Sequence, residues 1–482
     1  DWGLTLRDVE RNCGCEEDSG SDAGLNATVQ SRVARLLIKK LSEECEKYCI
    51  LTGYEELPDR FDSDVDFMVS AHDFGRIPAL INEIAAATGT YLFQAIPHEV
   101  SARAFRLVAN NEAELAFIQP DSCSDYRHFG KLWLRADEML AARRWHPRGF
   151  WIPSACYEFI YYLIKRVNKR DFTSAHGARL SWLYSEDSRG CENLLSRFWG
   201  AASANALAGM AVAEDWQPLM QGIERYRWEM RGHSSEKFPA NVMSYGKEAL
   251  HTMERILQPT GGWIAFMGPD GCGKSSVIEA VDAEFTPAFQ KVVRFHLRPK
   301  SLPARIISEE AATDPHGQPV RGGLFSVVKM LYLFADYWLG YVRGVRTATM
   351  RTSLVVFDRY FYDILVDSKR ILYGGPKWLP KLLSHLLPRP EMVVLLNAAP
   401  EVLWSRKQEV PYEEVVRQQR AYLEVARAIG DTVVIDAAQP LPEVVLQVRE
   451  AILDHFSLRT CRRLMLTKRT KPVAKTVSNR VE

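Results

Sequence analysis

The stretch MGPDGCGKSS, residues 267–276, decides how this chain is read. It follows GWIAFM, a short apolar run, and precedes SSVIEAVDAEF, whose apolar residues recur at helical spacing. Strand, glycine-rich loop and helix therefore come in the order that a phosphate cradle needs. Glycines at 268, 271 and 273 let backbone N–H groups close around an anion at a helix N-terminus. Lys274 is placed to reach β and γ oxygens, and the Ser275 hydroxyl to hold Mg²⁺. The expected nucleotide contacts are Gly268, Asp270, Gly271, Cys272, Gly273, Lys274, Ser275 and Ser276, and the expected cofactors are ATP, or a relative of it, and Mg²⁺.

Two further strands are predicted downstream. TSLVVFDRYFYDILVDSKR (352–370) opens as a buried strand ending in Asp358-Arg359-Tyr360, and MVVLLNA (392–398) is entirely apolar apart from Asn397. Both fit a doubly wound parallel sheet whose strands end at the ligand edge. The segment 400–429 then carries Arg406, Lys407, Arg417 and Arg420 among its charges.

Together, GPDGCGKSS, FDRY, a strand and an Arg-bearing segment running into a helix resemble the thymidylate kinase branch of the nucleoside monophosphate kinases, over roughly residues 260–455. The resemblance implies that Arg359 holds phosphate, that Asp358 serves the metal or acceptor site and that Arg406 closes on the donor. It also implies that Asp270 touches acceptor hydroxyls. There is one departure. Where thymidylate kinases carry Arg-Glu-Pro after the first helix, this chain reads RFHLRPKSLP (294–303): Arg298 and Pro299 remain, the acid is gone and His296 has appeared. Arg298 is kept as a substrate-binding candidate, and the acceptor is expected to differ from thymidylate.

In the first half, CILTGYEELPDRFDSDVDFMVS places Gly53 after an apolar strand and opens another strand at Ser63-Asp64-Val65-Asp66. Carboxylates at i and i+2 of a strand share a face, which is how a two-metal nucleotidyl-transfer site begins. The arrangement resembles the nucleotidyltransferase superfamily, which implies a third carboxylate on a later strand. Asp121 is the candidate, with Asp125 behind it; metal ligation is thus assigned to Ser275, Asp64, Asp66 and Asp121. Tyr54 stands where that pattern has a small residue, and Pro120 argues against a regular central strand. Lys165, Arg166, Lys169 and Arg170 form a basic face that reads either as solvated surface or as an anion contact. No histidine spacing points to zinc.

The chain has 482 residues, 47% hydrophobic, with 61 Lys plus Arg against 60 Asp plus Glu. That length allows two or three domains, and the balanced charge gives no global field for nucleic acid, which is not expected as a partner. The nine cysteines are scattered and read as free thiols in a reducing, cytoplasmic compartment. Residues 1–24 lack a basic segment followed by an apolar core, so they do not read as a signal peptide, and the absent Met reads as a trimmed start. LFSVVKMLYLFADYWLGYV (324–342) is interrupted by Lys329 and Asp336 and is expected as a buried helix rather than a bilayer span. From Arg459 the chain carries eight Lys or Arg and one acid, a tail expected to be solvated and frayed, with peripheral membrane contact as its alternative use.

The fold expected is α/β: a nucleotidyltransferase-like α+β domain (25–150), a helical extension (151–257), a C-terminal doubly wound parallel-sheet P-loop kinase domain (258–458) and a basic tail (459–482). The function expected is an ATP- and Mg²⁺-dependent phosphotransferase acting on a hydroxyl or phosphate acceptor. A kinase-like domain joined to such a first half resembles proteins of bacterial polysaccharide biosynthesis, which implies a sugar, glycan or lipid-linked acceptor. The catalytic candidates are Lys274, Arg359, Asp358, Arg406, Asp64 and Asp66. The alternatives are nucleotidyl transfer at the Asp-x-Asp site, alone or as a second activity, and a nucleotide-gated scaffold without turnover. The sequence leaves oligomeric state open.

Overall fold

The computed structural model describes residues 28–59, 64–111, 114–128, 131–232, 240–303 and 323–466. Cys13, Cys15, Ser63 and tail residues 467–482 lie outside them. Among the described residues the chain divides into two compact units: residues 28–109, 116–254 and 460–466 form the first, and 110–115 and 255–459 the second.

The first unit opens with helix α1 (Val29–Glu44), whose N-terminus is capped by Thr28 accepting from the Ser31 N–H. Strands β1 (Tyr48–Thr52) and β2 (Asp64–Val69), helix α2 (Ile77–Thr88) and strands β3 (Tyr91–Glu99), β4 (Ala102–Asn110) and β5 (Leu115–Cys123) follow. The sheet order is β1-β2-β5-β4-β3. β2 runs antiparallel to β1 and parallel to β5. Val33, Leu37 and Leu41 of α1 bury against Ile50, Phe67 and Phe105 from the sheet.

Pro120 corrects an expectation. It lies inside β5, a central strand, opposite Val65 of β2. A missing N–H removes a single ladder bond, which a nine-residue strand paired on both sides sustains.

Helix α3 (Ala155–Lys169) then begins a helical stretch with segments Ser174–Glu186, Ser188–Phe198, Ala201–Ala213 and Gln217–Gly232. Phe159, Ile160, Leu163 and Val167 of α3 join Leu180, Leu195, Phe198 and Trp199 in one core.

The second unit is a mixed α/β structure on a parallel sheet. Its strands are β6 (Gly262–Met267), β7 (Val292–His296), β8 (Leu354–Asp358), β9 (Met392–Asn397) and β10 (Thr432–Asp436), in the order β7-β8-β6-β9-β10. Every neighbouring pair is parallel. β6 is buried along its whole length, as expected of an uninterrupted apolar run covered by helices on both faces. The helices that matter for the site are α4 (Lys274–Phe285), α5 (Gly323–Gly340), α6 (Phe361–Val366), α7 (Pro400–Arg406), α8 (Tyr412–Ile429) and α9 (Leu441–Arg463).

Two expectations are refined here. α5 is a helix with one buried face, on which Met330, Leu333 and Tyr337 lie together with two charged residues: Lys329 donates to the Ile371 carbonyl at 2.5 Å, and Asp336 accepts from Arg298, while Leu324, Val328 and Leu331 are exposed. A paired charge buries more readily than the pattern of apolar residues suggests. The basic tail begins inside α9, where Cys461 is buried, and Leu464 packs on the α1 core, so residues 459–466 are not frayed. Among the described residues no helix is long and apolar enough to cross a membrane, and the seven described cysteines are free.

Candidate functional site

The carboxyl ends of three adjacent strands are in register. Phe266 of β6 lies opposite Asp358 of β8, and Asp358 lies opposite His296 of β7. The chain leaves β6 at Met267 and turns at once into the glycine loop. At Gly268, φ is 148°, and an added Cβ would meet the Leu396 carbonyl oxygen at 2.5 Å. At Gly271, φ is 84°, and a Cβ would lie 2.8 Å from the Leu403 carbonyl oxygen. Only glycine fits a loop held this close to its neighbours.

Gly273 caps α4, and Lys274 is its first residue. The buried Lys274 ammonium donates to the Gly268 and Pro269 carbonyls at 2.8 and 2.9 Å. Cys272 is buried beneath it with Sγ 3.5 Å from Nζ. Ser275 and Ser276 are exposed on the first helical turn, where the helix dipole and free N–H groups favour an anion.

Asp270, at the loop's tip, is bridged by two guanidiniums. One is Arg359; the other is Arg370, at 2.6 Å. Burial opposes its ionisation, but Arg359 and Arg370 outweigh that and hold the carboxyl well below the usual range. Arg359 itself sits at φ 70°, a left-handed conformation that is unusual for a branched or bulky residue and is found where a site over-determines the backbone. Its amide donates to the Phe266 carbonyl at 3.0 Å, and its side chain faces Asp363 of α6, which also accepts from Tyr422 of α8 at 2.7 Å.

Asp358 meets His296, with Nδ1 to Oδ2 at 3.0 Å, while its Oδ1 is buried with no hydrogen-bond partner. Burial pushes this carboxyl up; the hydrogen bond and charge of His296, followed by Arg359 and Lys274, bring it below the ordinary value.

Two candidates stand elsewhere. Arg298 is buried and pairs with Asp336 of α5 at 3.3 Å, so an acid distant in sequence partners this arginine. The Arg406 guanidinium donates to the Ala437 carbonyl at 2.7 Å, although its Cβ lies beside Gly271. Arg417 pairs with Glu414 on its own helix.

In the first unit the β2–β5 register sets Asp66 directly opposite Asp121. Asp66 accepts from Lys165 of α3 at 2.5 Å and from Thr52 of β1 at 2.8 Å. Burial raises the Asp66 carboxyl, but the Lys165 charge and hydrogen bond overcome that and lower it. Asp121 has no such partner on Oδ1, and burial together with the charges of Asp66 and Asp64 pushes it well above the carboxylate range. Lys165 and Arg166, expected on a solvated or anion-binding face, are instead committed to Asp66 and Asp171. Among the described residues no three His, Cys, Asp or Glu side chains are grouped as a metal-binding set.

Sequence reasoning missed Arg370, Asp363 and Tyr422, and it named Lys165 and Asp336 without their partners, Asp66 and Arg298. The Asp-x-x-x-Asp-x-x-Arg spacing of 363–370 puts Asp363, Asp367 and Arg370 about a helical turn apart and was the one local signal available.

The thymidylate kinase family pattern matches residues 266–448. A thymidylate kinase of Symbiobacterium thermophilum is 27% identical over 214 residues, covering 39% of this chain and 92% of its own. A probable thymidylate kinase of Archaeoglobus fulgidus is 26% identical over 207 residues, covering 41% and 97%. The second half carries a thymidylate-kinase-like P-loop domain. The crystal structure of thymidylate kinase from Ehrlichia chaffeensis matches 40% of this chain and 98% of its own at 16% identity, with a TM-score of 0.31.

Thymidylate kinases use ATP and Mg²⁺, and the residues of this domain fit both. A glycine cradle closed to a Cβ at 268 and 271, with a buried lysine folded over it, suits a polyphosphate. The exposed Ser275 hydroxyl and the unpartnered Asp358 Oδ1 are oxygen donors of the kind that Mg²⁺ or its waters take.

Proposed function

We propose that the chain is an ATP- and Mg²⁺-dependent phosphotransferase of nucleoside monophosphate kinase type, with the kinase domain spanning 258–458. The acceptor is a hydroxyl or phosphate, on a sugar or glycan intermediate. The observation that carries this reading is the bridge from loop residue Asp270 to Arg359 and Arg370, which gathers cations around the phosphate cradle. Phosphoryl transfer needs little covalent chemistry from the protein beyond positioning and positive charge. In this reading Lys274 neutralises the transferring group, Ser275 binds Mg²⁺, and Arg359 clamps phosphate with Arg370 beside it. Asp358 orients metal or acceptor, Asp270 contacts acceptor hydroxyls, and Arg298 and Arg406 border the acceptor and donor sides.

The test is transfer of γ-labelled phosphate from ATP, with Mg²⁺, to thymidylate, free sugars and a bacterial glycan extract. We expect labelling that Lys274→Ala abolishes. Tight ATP binding without labelling of any acceptor would favour the nucleotide-gated scaffold instead.

A second reading assigns residues 25–150 a nucleotidyltransferase-like fold and a metal-dependent activity at Asp64, Asp66 and Asp121. It is favoured by the register of Asp66 against Asp121. It requires a divalent cation to displace Lys165.

A further inference from the structure

We propose that the outer face of the helix Trp378–Leu386, together with the exposed side of the first turns of α5, docks on an anionic bilayer surface. The docking lies within the second unit and does not depend on the phosphotransferase reading.

The helix has two unlike sides. Leu379, Leu383 and Leu387 join Met330 and Leu333 of α5 in the core. The other side leaves Trp378 63%, Leu382 50% and Leu386 53% exposed, four residues apart. Just before each of these stands an exposed cation or imidazole, Lys377, Lys381 and His385, and the exposed Arg389 continues the row. α5 is tied alongside: the Gly374 amide donates to the Ser326 hydroxyl at 3.0 Å, and Lys329 donates to the Ile371 carbonyl at 2.5 Å. Leu324 and Val328 of the same turns are exposed and extend the apolar surface.

Charge selects the occupant. No Asp or Glu occurs between Asp367 and Glu391, and the one acid of α5, Asp336, is buried against Arg298. Among the described residues Lys377, Lys381 and Arg389 pair with no carboxylate. A second copy docked about a two-fold axis would present the same acid-free patch, leaving these cations facing cations. Lipid phosphates answer them instead. Indole and leucine side chains enter the boundary of the acyl chains while lysine and arginine heads stay in the headgroup layer, which is how an interfacial helix lies. The segment leading into this helix carries Arg370, which holds Asp270 of the phosphate loop; in the phosphotransferase reading a docked chain meets acceptors carried in the bilayer.

The experiment sediments the full chain with vesicles of phosphatidylcholine alone or mixed with phosphatidylglycerol. We expect binding to the mixed vesicles only, weakened by added KCl. Lys377→Ala/Lys381→Ala/Arg389→Ala should lower the partition coefficient about a hundredfold, roughly fivefold for each cation. Trp378→Ser/Leu382→Ser/Leu386→Ser should lower it about tenfold or more. The cation variant removes no packed atom, so it carries the test by itself if the serine variant melts early. Equal binding to both vesicle types, or binding to neither, overturns the proposal. So does binding that survives both variants and is lost in Lys468→Ala/Arg469→Ala/Lys471→Ala/Lys475→Ala. A wild-type dimer in sedimentation velocity that the serine variant turns into a monomer also overturns it, because a second copy then covers the face. Transfer of γ label measured without vesicles reports on the phosphotransferase reading separately.

Discussion

The two units each hold an aspartate against a partly buried cation, and they hold it differently. Asp270 stands on a loop between Arg359 and Arg370, and in the proposed reading a phosphate takes its place between the guanidiniums, both groups being anions that pair with arginine. Asp66 stands on a strand, and Lys165 reaches it from a helix packed in the core, alongside a second carboxyl, Asp121, that burial and the charges of Asp66 and Asp64 push well above the carboxylate range. In that reading the first arrangement is a site whose internal anion is exchanged for the substrate's. The second is a carboxylate pair whose cation is already supplied by the chain. This contrast is the physical reason to assign the chemistry to the second unit.

Removing the cation of each pair sharpens the contrast. Lys165→Met leaves Asp66 without its main partner, and urea denaturation should show the first unit destabilised by about 3 kcal/mol, the low end for a buried pair because both side chains keep some exposure. Mn²⁺ should protect this variant from denaturation more than it protects wild type, since the vacated place lies among carboxylates; equal protection would break the comparison. Arg370→Ala should leave folding nearly intact and slow phosphoryl transfer roughly ten- to a hundredfold, as expected for a lost charge-assisted hydrogen bond. If steady-state kinetics show no change in kcat or KM, Arg370 is only a tether for Asp270.

The smallest effect is on pH. Asp270 has a lowered folded pKa, so its contribution to stability is present above about pH 4, the unfolded carboxyl value, and is lost as pH falls further. Asp121 has a raised folded pKa, so its contribution is fully present below about pH 4 and is lost as pH rises towards its folded value. Asp66, lowered by Lys165, works in the opposite sense to Asp121. Comparing melting temperatures of wild type and Asp121→Asn from pH 4 to 8 therefore isolates Asp121: the variant should gain relative stability as pH rises. A constant difference would mean that Asp121 is not held protonated.

What could be read in the sequence was local. The glycine loop, its strand and helix, the apolar strands 354–358 and 392–397 and the Asp64/Asp66 alternation each announce themselves within a few residues. The partners do not. Asp358 and His296 are 62 residues apart, Asp270 and Arg370 100, and Asp66 and Lys165 99. No periodicity links residues whose proximity is made by strand order. The burial of Lys329 and Asp336 escaped for the same reason, since a charge in an apolar run looks like a surface mark until its partner across the fold is known.

The most direct test of where the chemistry resides uses ATP labelled at the α or the γ position, with Mg²⁺ and a bacterial extract. Wild type, Lys274→Ala and the double variant Asp64→Asn/Asp66→Asn are compared. The account predicts transfer of γ label that Lys274→Ala abolishes and the double variant retains. Transfer of α label that only the double variant loses would contradict it and make the first unit the enzyme.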